Sequence, residues 1–165
     1  MDSKAEMYLK RALSEIDSAQ ILFEASDKKE VLARTGMADS GSSFYSGAIS
    51  HAYYAIFYCA KAMLLAKGME TKPPEIHKKT LEAFKTAFID SGLLDVKLLM
   101  IYREMIVKAE DLLEIYKEEK WKRGNFTYNT IPQANKEPAK ESIKNARFFF
   151  KHCNTYLNSN QYSKK

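Results

Sequence analysis

An arginine and a histidine that could act on a phosphodiester lie five residues apart near the C-terminus, in the stretch ARFFFKHC (146–153). Arginine stabilises charge that develops on a phosphate, and histidine accepts a proton from a ribose hydroxyl. Arg147 and His152 would therefore suit metal-independent cleavage of RNA. Residues five apart on a helix, however, are separated by about 140° around the axis and by about 7.5 Å along it.

The apolar spacing of this segment predicts where the two side chains point. Its core stripe is predicted to consist of Ala139, Ile143, Ala146, Phe150, Cys153 and Leu157. Arg147 lies about 80° from this stripe, and His152 lies about 160° from it on the other side, so His152 is predicted to point outward. The pair converges only if the helix breaks or if both residues reach a cleft between two copies. We assign no catalytic residue, and cleavage by Arg147 and His152 stays the alternative.

A second group of candidates shares one face of an apolar segment in the first half of the chain. His51, Tyr54 and Tyr58, with Lys61 nearby, place polar tips on buried bodies, as a ligand groove would. Hydroxyls bonded to neighbouring helices would give the same pattern. Small residues form the adjacent stripe, which is predicted to be core: Ala48, Ala52, Ala55, Cys59, Ala62 and Ala66.

Basic and aromatic residues also alternate in the stretch KEEKWKRGNFTY (117–128). Stacking platforms for single-stranded RNA have this composition, and so does a helix C-terminus whose cations offset the helix dipole. The residues concerned are Lys120, Trp121, Lys122, Arg123, Phe126 and Tyr128. His77 lies in the first turn of a predicted helix, where a surface or capping role competes with that of a base.

The sequence shows no motif for binding a metal or a cofactor. The three histidines, at positions 51, 77 and 152, have no metal-ligand spacing, and no glycine-rich phosphate loop is present. We therefore expect no metal and no cofactor.

Helical periodicity runs through almost the whole chain. The pattern predicts helices over about residues 3–34, 44–67, 75–90, 93–122 and 138–157, separated by glycine, proline and polar turns. Ser42 or Ser43 is the predicted N-cap of the second helix, and Gly68 its C-terminal glycine. The predicted fold is all-α, an antiparallel up-and-down bundle of four long helices plus one short helix. We expect one domain over residues 1–158 and a disordered tail over 159–165.

Composition sets wider bounds on the class of protein. The chain has 165 residues and a formal net charge of +5, which suits an anionic partner but equally arises from solvated lysine-rich faces. Cys59 and Cys153 form no C-x-x-C motif, and no apolar run is long enough for a membrane span. No secretory signal is visible either, so a reducing, cytoplasmic location is expected.

The segment SGAISHAYYAIFYCAKAMLLAKG (46–68) resembles the signature helix of the HEPN domain family. The residues in register are Ser50, Ala52, Tyr53, Tyr54, Ala55, Phe57, Ala60, Lys61, Ala62, Leu64, Leu65 and Gly68. His77, Arg123 and the ending that contains Arg147 resemble later elements of the family. His51 stands where the family often has arginine, and the aspartate of its late element is missing.

This resemblance implies a homodimer that acts with a minimal nucleotidyltransferase, as in a toxin–antitoxin pair. One branch of the family cleaves RNA through an R-x(4–6)-H motif, whereas other branches are thought to bind nucleotide or RNA for the partner enzyme. We expect a non-catalytic binding module of the second kind. Its candidate ligand-binding residues are His51, Tyr54, Tyr58, Lys61, His77 and Arg123.

Overall fold

The fold is seen in a computed structural model that describes residues 3–37, 43–122 and 136–162, with side chains over 3–37, 43–112 and 136–159. The described residues form α-helices and no strand. In chain order the helices are α1 (Ser3–Asp27), α2 (Lys29–Arg34), α3 (Tyr45–Ala66), α4 (Ile76–Phe84), α5 (Val96–Lys122) and α6 (Lys136–Tyr162). A π-helical turn, Lys85–Ile89, extends α4. The all-α prediction is confirmed, with four long helices and two short ones.

Neighbouring long helices run in opposite directions. Tyr8 of α1 stacks on Tyr58 of α3, and Phe23 meets Tyr45 at the other end of the same pair. Lys108 of α5 likewise reaches Glu141 of α6, while Lys97, one end of α5, lies over the Phe148 ring. Helix α6 also opposes α1, since Lys136 pairs with Asp27 while Arg147 reaches Gln20. The four long helices thus alternate in direction, as the up-and-down topology requires.

The central helix is α3, which packs against α1, α4, α5 and α6. Its small residues Ala48, Ala52, Ala55, Cys59 and Ala62 are fully buried. On α1 the facing stripe is also small, with Ala5, Ala12 and Ala19 fully buried. Small side chains on both helices allow a close approach, so α1 lies directly along α3. Ala66 departs from the predicted stripe because it is the last residue of α3 and is exposed.

A cluster of aromatic rings fills the core between α4, α5 and α6. Phe84, Phe88, Tyr102 and Phe149 are fully buried, with adjacent ring centroids 5.3 to 6.0 Å apart. Here the predicted core stripe of α6 is wrong at one position. Phe149 is fully buried and Phe150 is half-buried, because Phe149 also lies at three-four spacing, between Ala146 and Cys153.

Helix ends show where local chemistry differs from the predicted boundaries. The first predicted helix breaks at Lys28, whose backbone is extended. Phe44, not Ser43, is the N-cap of α3, and its N–H donates to the Ser26 hydroxyl at 2.6 Å. Ser42 lies outside the described residues. The predicted role of Gly68 is confirmed, since its φ is +73° and Met69 N–H closes back on the Leu64 carbonyl.

Two later boundaries also moved. Helix α5 begins at Val96 rather than at Leu93 because the Asp95 carboxylate accepts the Lys97 N–H at 2.7 Å, the bond of an N-cap residue. Helix α6 begins at Lys136 and continues to Tyr162, beyond Leu157. No helix in the described part of the chain is long and apolar enough to cross a membrane.

Candidate functional site

A row of aromatic rings lies on the outer side of α3, between α1 and α4. We call Tyr8, Tyr58, Tyr54 and His77 the aromatic strip. Tyr8 stacks on Tyr58 at 5.8 Å between centroids and Tyr58 on Tyr54 at 6.3 Å, and His77 meets Tyr54 edge-on at 6.1 Å. Tyr54 is 41% exposed, so its ring can still accept a stacking partner.

Helix geometry explains how these rings converge. His51, Tyr54, Tyr58 and Lys61 lie three or four residues apart on α3, so they form one continuous face. The antiparallel α1 adds Tyr8 along one edge, and the start of α4 adds His77 along the other. The strip therefore needs all three helices, although its middle comes from one.

Glu15 of α1 is a buried carboxylate beside the strip, and only 5% of the residue is exposed. Its Oε1 accepts the Arg11 Nε–H at 2.8 Å, and its Oε2 lies 2.5 Å from His51 Nδ1. The Arg11 guanidinium also lies over the Tyr58 ring, 5.7 Å from its centroid. Glu15 thus fixes an arginine and a histidine from different helices at one end of the strip.

His77 is held at the other edge by Tyr53, whose hydroxyl shares a 2.6 Å hydrogen bond with His77 Nδ1. The ring also packs on Phe57, 4.3 Å between centroids. Burial lowers the pKa of His77, so the neutral ring is favoured. Burial raises the pKa of Tyr53, which keeps its phenol protonated. A neutral histidine and a phenol suit hydrogen bonding to a ligand more than they suit charge pairing.

Lys61 lies inside the structure rather than at the surface. It is 4% exposed, its Nζ donates to the Thr71 carbonyl at 2.8 Å, and the ammonium lies over the Tyr8 ring at 5.3 Å. Burial lowers the pKa of its ammonium. Lys61 therefore links the segment after α3 to the bundle, and its ammonium packs against the Tyr8 ring.

Arg147 and His152 point to different neighbours. Arg147 is exposed, and its Nη2 donates to Gln20 of α1 at 3.2 Å. His152 is half-buried against its own helix, where Nδ1 lies 2.8 Å from the Phe148 carbonyl and its ring packs at a tilt against that of Phe148, 4.1 Å between centroids. Phe148 in turn lies under Lys97 of α5. Within one chain, Arg147 therefore contacts α1, whereas His152 contacts its own helix.

Most of the remaining predicted residues lie outside the part of the chain that the structure describes. Arg123, Phe126 and Tyr128 lie outside the described residues, as do the side chains of Lys120, Trp121 and Lys122. No group of three metal-ligating side chains occurs in the part of the chain that is described.

Sequence reasoning missed three residues of this region, namely Tyr8, Arg11 and Glu15. They lie at positions i, i+3 and i+7 of α1, immediately beside its apolar stripe. Their spacing shows that they share a face, but which neighbour that face meets depends on how α1 rotates against α3. The available signal for this region was a glutamate, Glu15, at the edge of the apolar face of α1.

The fold and the site together define a class of protein. It is an all-α antiparallel bundle whose central helix carries a polar and aromatic strip. The chain belongs to the HEPN domain family, whose family model matches residues 35–156. This match covers α3, α4 and α5 and most of α6, and so includes the α3 and α4 portions of the strip.

Several archaeal proteins are similar to this chain. The chain is 37% identical over 83 residues to the Methanocaldococcus jannaschii protein named "Putative toxin MJ0142", an alignment covering 47% of this chain and 54% of that relative. It therefore spans about half the length of this relative. A second protein of that organism, "Putative toxin MJ0605", is 30% identical over 66% of this chain and 67% of its own length. A UPF0332 protein of Archaeoglobus fulgidus is 27% identical over 81% of this chain and 93% of its own length.

Proposed function

We propose that this chain is a non-catalytic HEPN-type binding module that binds nucleotide or single-stranded RNA. We further propose that it forms a homodimer and acts with a minimal nucleotidyltransferase partner, as in a toxin–antitoxin pair. Two relatives carry names that identify them as putative toxins, which supports a role in such a pair.

The aromatic strip is the observation that carries the binding proposal. Bases stack on aromatic faces whatever their sequence, and each stacked base contributes about 1–3 kcal/mol. Tyr54 offers an exposed ring, and Tyr8, Tyr58 and His77 hold it in a continuous row. Arg11 adds a cation over Tyr58, which suits a nucleic acid or nucleotide.

The position of Arg147 and His152 favours binding over cleavage by that pair. Metal-independent cleavage would require both side chains at the same phosphodiester. Arg147 bonds to Gln20 and His152 bonds to its own helix, so neither supports the other within one chain.

Fluorescence anisotropy with a labelled single-stranded RNA, run beside a metal-free cleavage assay, tests this function. We expect binding without cleavage, and about tenfold weaker binding by Tyr54→Ala because one base loses its stacking partner. Met100→Ala is the matched control, since it truncates a 65% exposed apolar residue of α5 outside the strip. Cleavage that disappears in His152→Ala would establish the alternative endoribonuclease. Equal binding by the wild type and Tyr54→Ala would remove the strip from the function.

A second experiment tests the partner. We expect size-exclusion chromatography with light scattering to give a dimer mass, and co-expression with a minimal nucleotidyltransferase from the same genome to yield a stable complex. A monomer that never co-purifies with such an enzyme would contradict this part of the proposal.

A further inference from the structure

Each oxygen of the Glu15 carboxylate binds one basic side chain. Arg11 binds it through Nε and His51 through Nδ1. This arrangement leaves both Nη groups of Arg11 and the Nε2 atom of His51 without a hydrogen bond to any described residue. The Arg11 side chain is 60% exposed and that of His51 is 39% exposed, whereas that of Glu15 is 6% exposed. The carboxylate therefore lies on the buried side of this group, and the unused nitrogens lie on its solvent side.

A bidentate arginine–carboxylate pair uses two nitrogens of the guanidinium. Arg11 instead uses one edge of its guanidinium and keeps the forked edge open. That edge matches two oxygens of a phosphate, since guanidinium–phosphate pairs are commonly bidentate. His51 binds the other Glu15 oxygen through Nδ1, which leaves Nε2 free, and in the protonated form of the ring Nε2–H is a second donor for an anion. One buried carboxylate thus holds Arg11 and His51, one on each oxygen, and the space in front of the two side chains is the candidate anion position.

This anion position adjoins the stacking surface. The Arg11 guanidinium lies over Tyr58, Tyr58 stacks on Tyr54, and His51 precedes Tyr54 by one helical turn on α3. A ligand with a phosphate and an aromatic base can therefore contact both features at once. Inorganic phosphate alone, or a base alone, would use only one of them.

We propose that Arg11 and His51, aligned by Glu15, form a phosphate subsite for a nucleotide or RNA whose base stacks on Tyr54. The inference rests on the proposed binding function and specifies where the ligand's phosphate lies. Arg11 and His51 contact the phosphate, and Glu15 is a positioning residue that never touches it.

Isothermal titration of the full chain with AMP, adenosine and inorganic phosphate tests the subsite. We expect AMP to bind at least tenfold more tightly than adenosine, and inorganic phosphate to bind more weakly than AMP. Arg11→Gln and His51→Gln should each weaken AMP binding about tenfold and leave adenosine binding unchanged. A 5′-phosphorylated RNA oligonucleotide, compared with its unphosphorylated form, shows whether a terminal or an internal phosphate is taken.

Lys10→Gln is the matched control for charge. Lys10 adjoins Arg11 on α1, is 77% exposed and pairs with Glu6 at 3.0 Å, so this change removes the same charge from the same helix. Equal losses in Lys10→Gln and Arg11→Gln would reduce the effect to general electrostatics and overturn the subsite. Should Arg11→Gln fail to fold, Arg11→Lys and His51→Gln carry the same comparison, with circular dichroism as the folding check.

Failure of the subsite is distinguishable from failure of the proposed function. If adenosine and RNA bind through Tyr54 but AMP has no advantage over adenosine, only the phosphate subsite is wrong. If AMP, adenosine and RNA all fail to bind the folded wild-type chain, the proposed function and the subsite fail together.

Discussion

The hydroxyl of Tyr102 is fully buried and has no hydrogen-bond partner among the described residues. Its ring lies in the aromatic cluster, 5.8 Å from Phe149 and 6.0 Å from Phe84 between centroids, and burial raises its pKa well above the ordinary value. An unpaired buried polar group costs about 1–3 kcal/mol. Tyr102→Phe removes that cost and leaves only a small void, so we expect the free energy of unfolding to rise by about 1 kcal/mol.

Tyr53→Phe is the matched control because it deletes the same atom where a partner exists. The Tyr53 hydroxyl shares a 2.6 Å hydrogen bond with His77, and its loss should lower the free energy of unfolding by about 0.5–1.5 kcal/mol. The same chemical change therefore has opposite signs at two positions. An interaction of 1 kcal/mol corresponds to a shift in Tm of about 2–4 °C for a domain of this size.

Urea denaturation followed by far-UV circular dichroism measures both effects, at one protein concentration so that any association is held constant. The slope with urea should stay the same in both variants, since neither changes the surface exposed on unfolding. If Tyr102→Phe destabilises the chain as much as Tyr53→Phe does, the Tyr102 hydroxyl has a partner, such as a buried water, and the reasoning is refuted.

Three further predictions, made with four substitutions, test the core and the strip. Ala52→Leu, at a fully buried position of α3, should cost about 1–3 kcal/mol in denaturation by overpacking, and a neutral result would contradict close packing at that position. Phe149→Leu should lower stability by about 1–2 kcal/mol and Phe150→Leu by less than half of that; the reverse order would restore the predicted stripe. Burial lowers the pKa of His77 below its ordinary value of about 6.5, so the unfolded chain takes up the proton first. Stability should therefore fall as the pH drops from about 7 to about 5. His77→Gln should reduce that slope, and an unchanged slope would place the titration elsewhere.

Local patterns were enough to predict α3 and its outward face. The small stripe identified the buried side, Gly68 identified the end, and three-four spacing grouped His51, Tyr54 and Tyr58. These features depend only on the period of the helix. The Lys61 ammonium could not be placed in the same way, because its Thr71 partner comes from the chain after the helix.

The remaining features depend on how each helix is rotated about its own axis, which the sequence does not determine. Phe149 and Phe150 both satisfy the spacing of an α6 core stripe, and contact with Phe84 and Tyr102 selects Phe149. The face of α1 that carries Arg11 and Glu15 was visible as a face but not as a neighbour of α3. Only the register between the two helices, which the sequence does not show, brings Glu15 to His51.

Arginine–histidine chemistry shows what a linear motif leaves undetermined. Arg147 and His152 match a catalytic spacing in the sequence, yet a regular helix separates residues five apart by about 140°, and the two bond to α1 and to α6 itself. Arg11 and His51 match no motif and come from different helices, yet the two oxygens of Glu15 hold them side by side. A bridging carboxylate is therefore stronger support for a shared phosphate position than spacing along one helix. By this reasoning His51→Gln should weaken phosphate-dependent binding, whereas Arg147→Gln, whose guanidinium bonds to Gln20, should leave it unchanged.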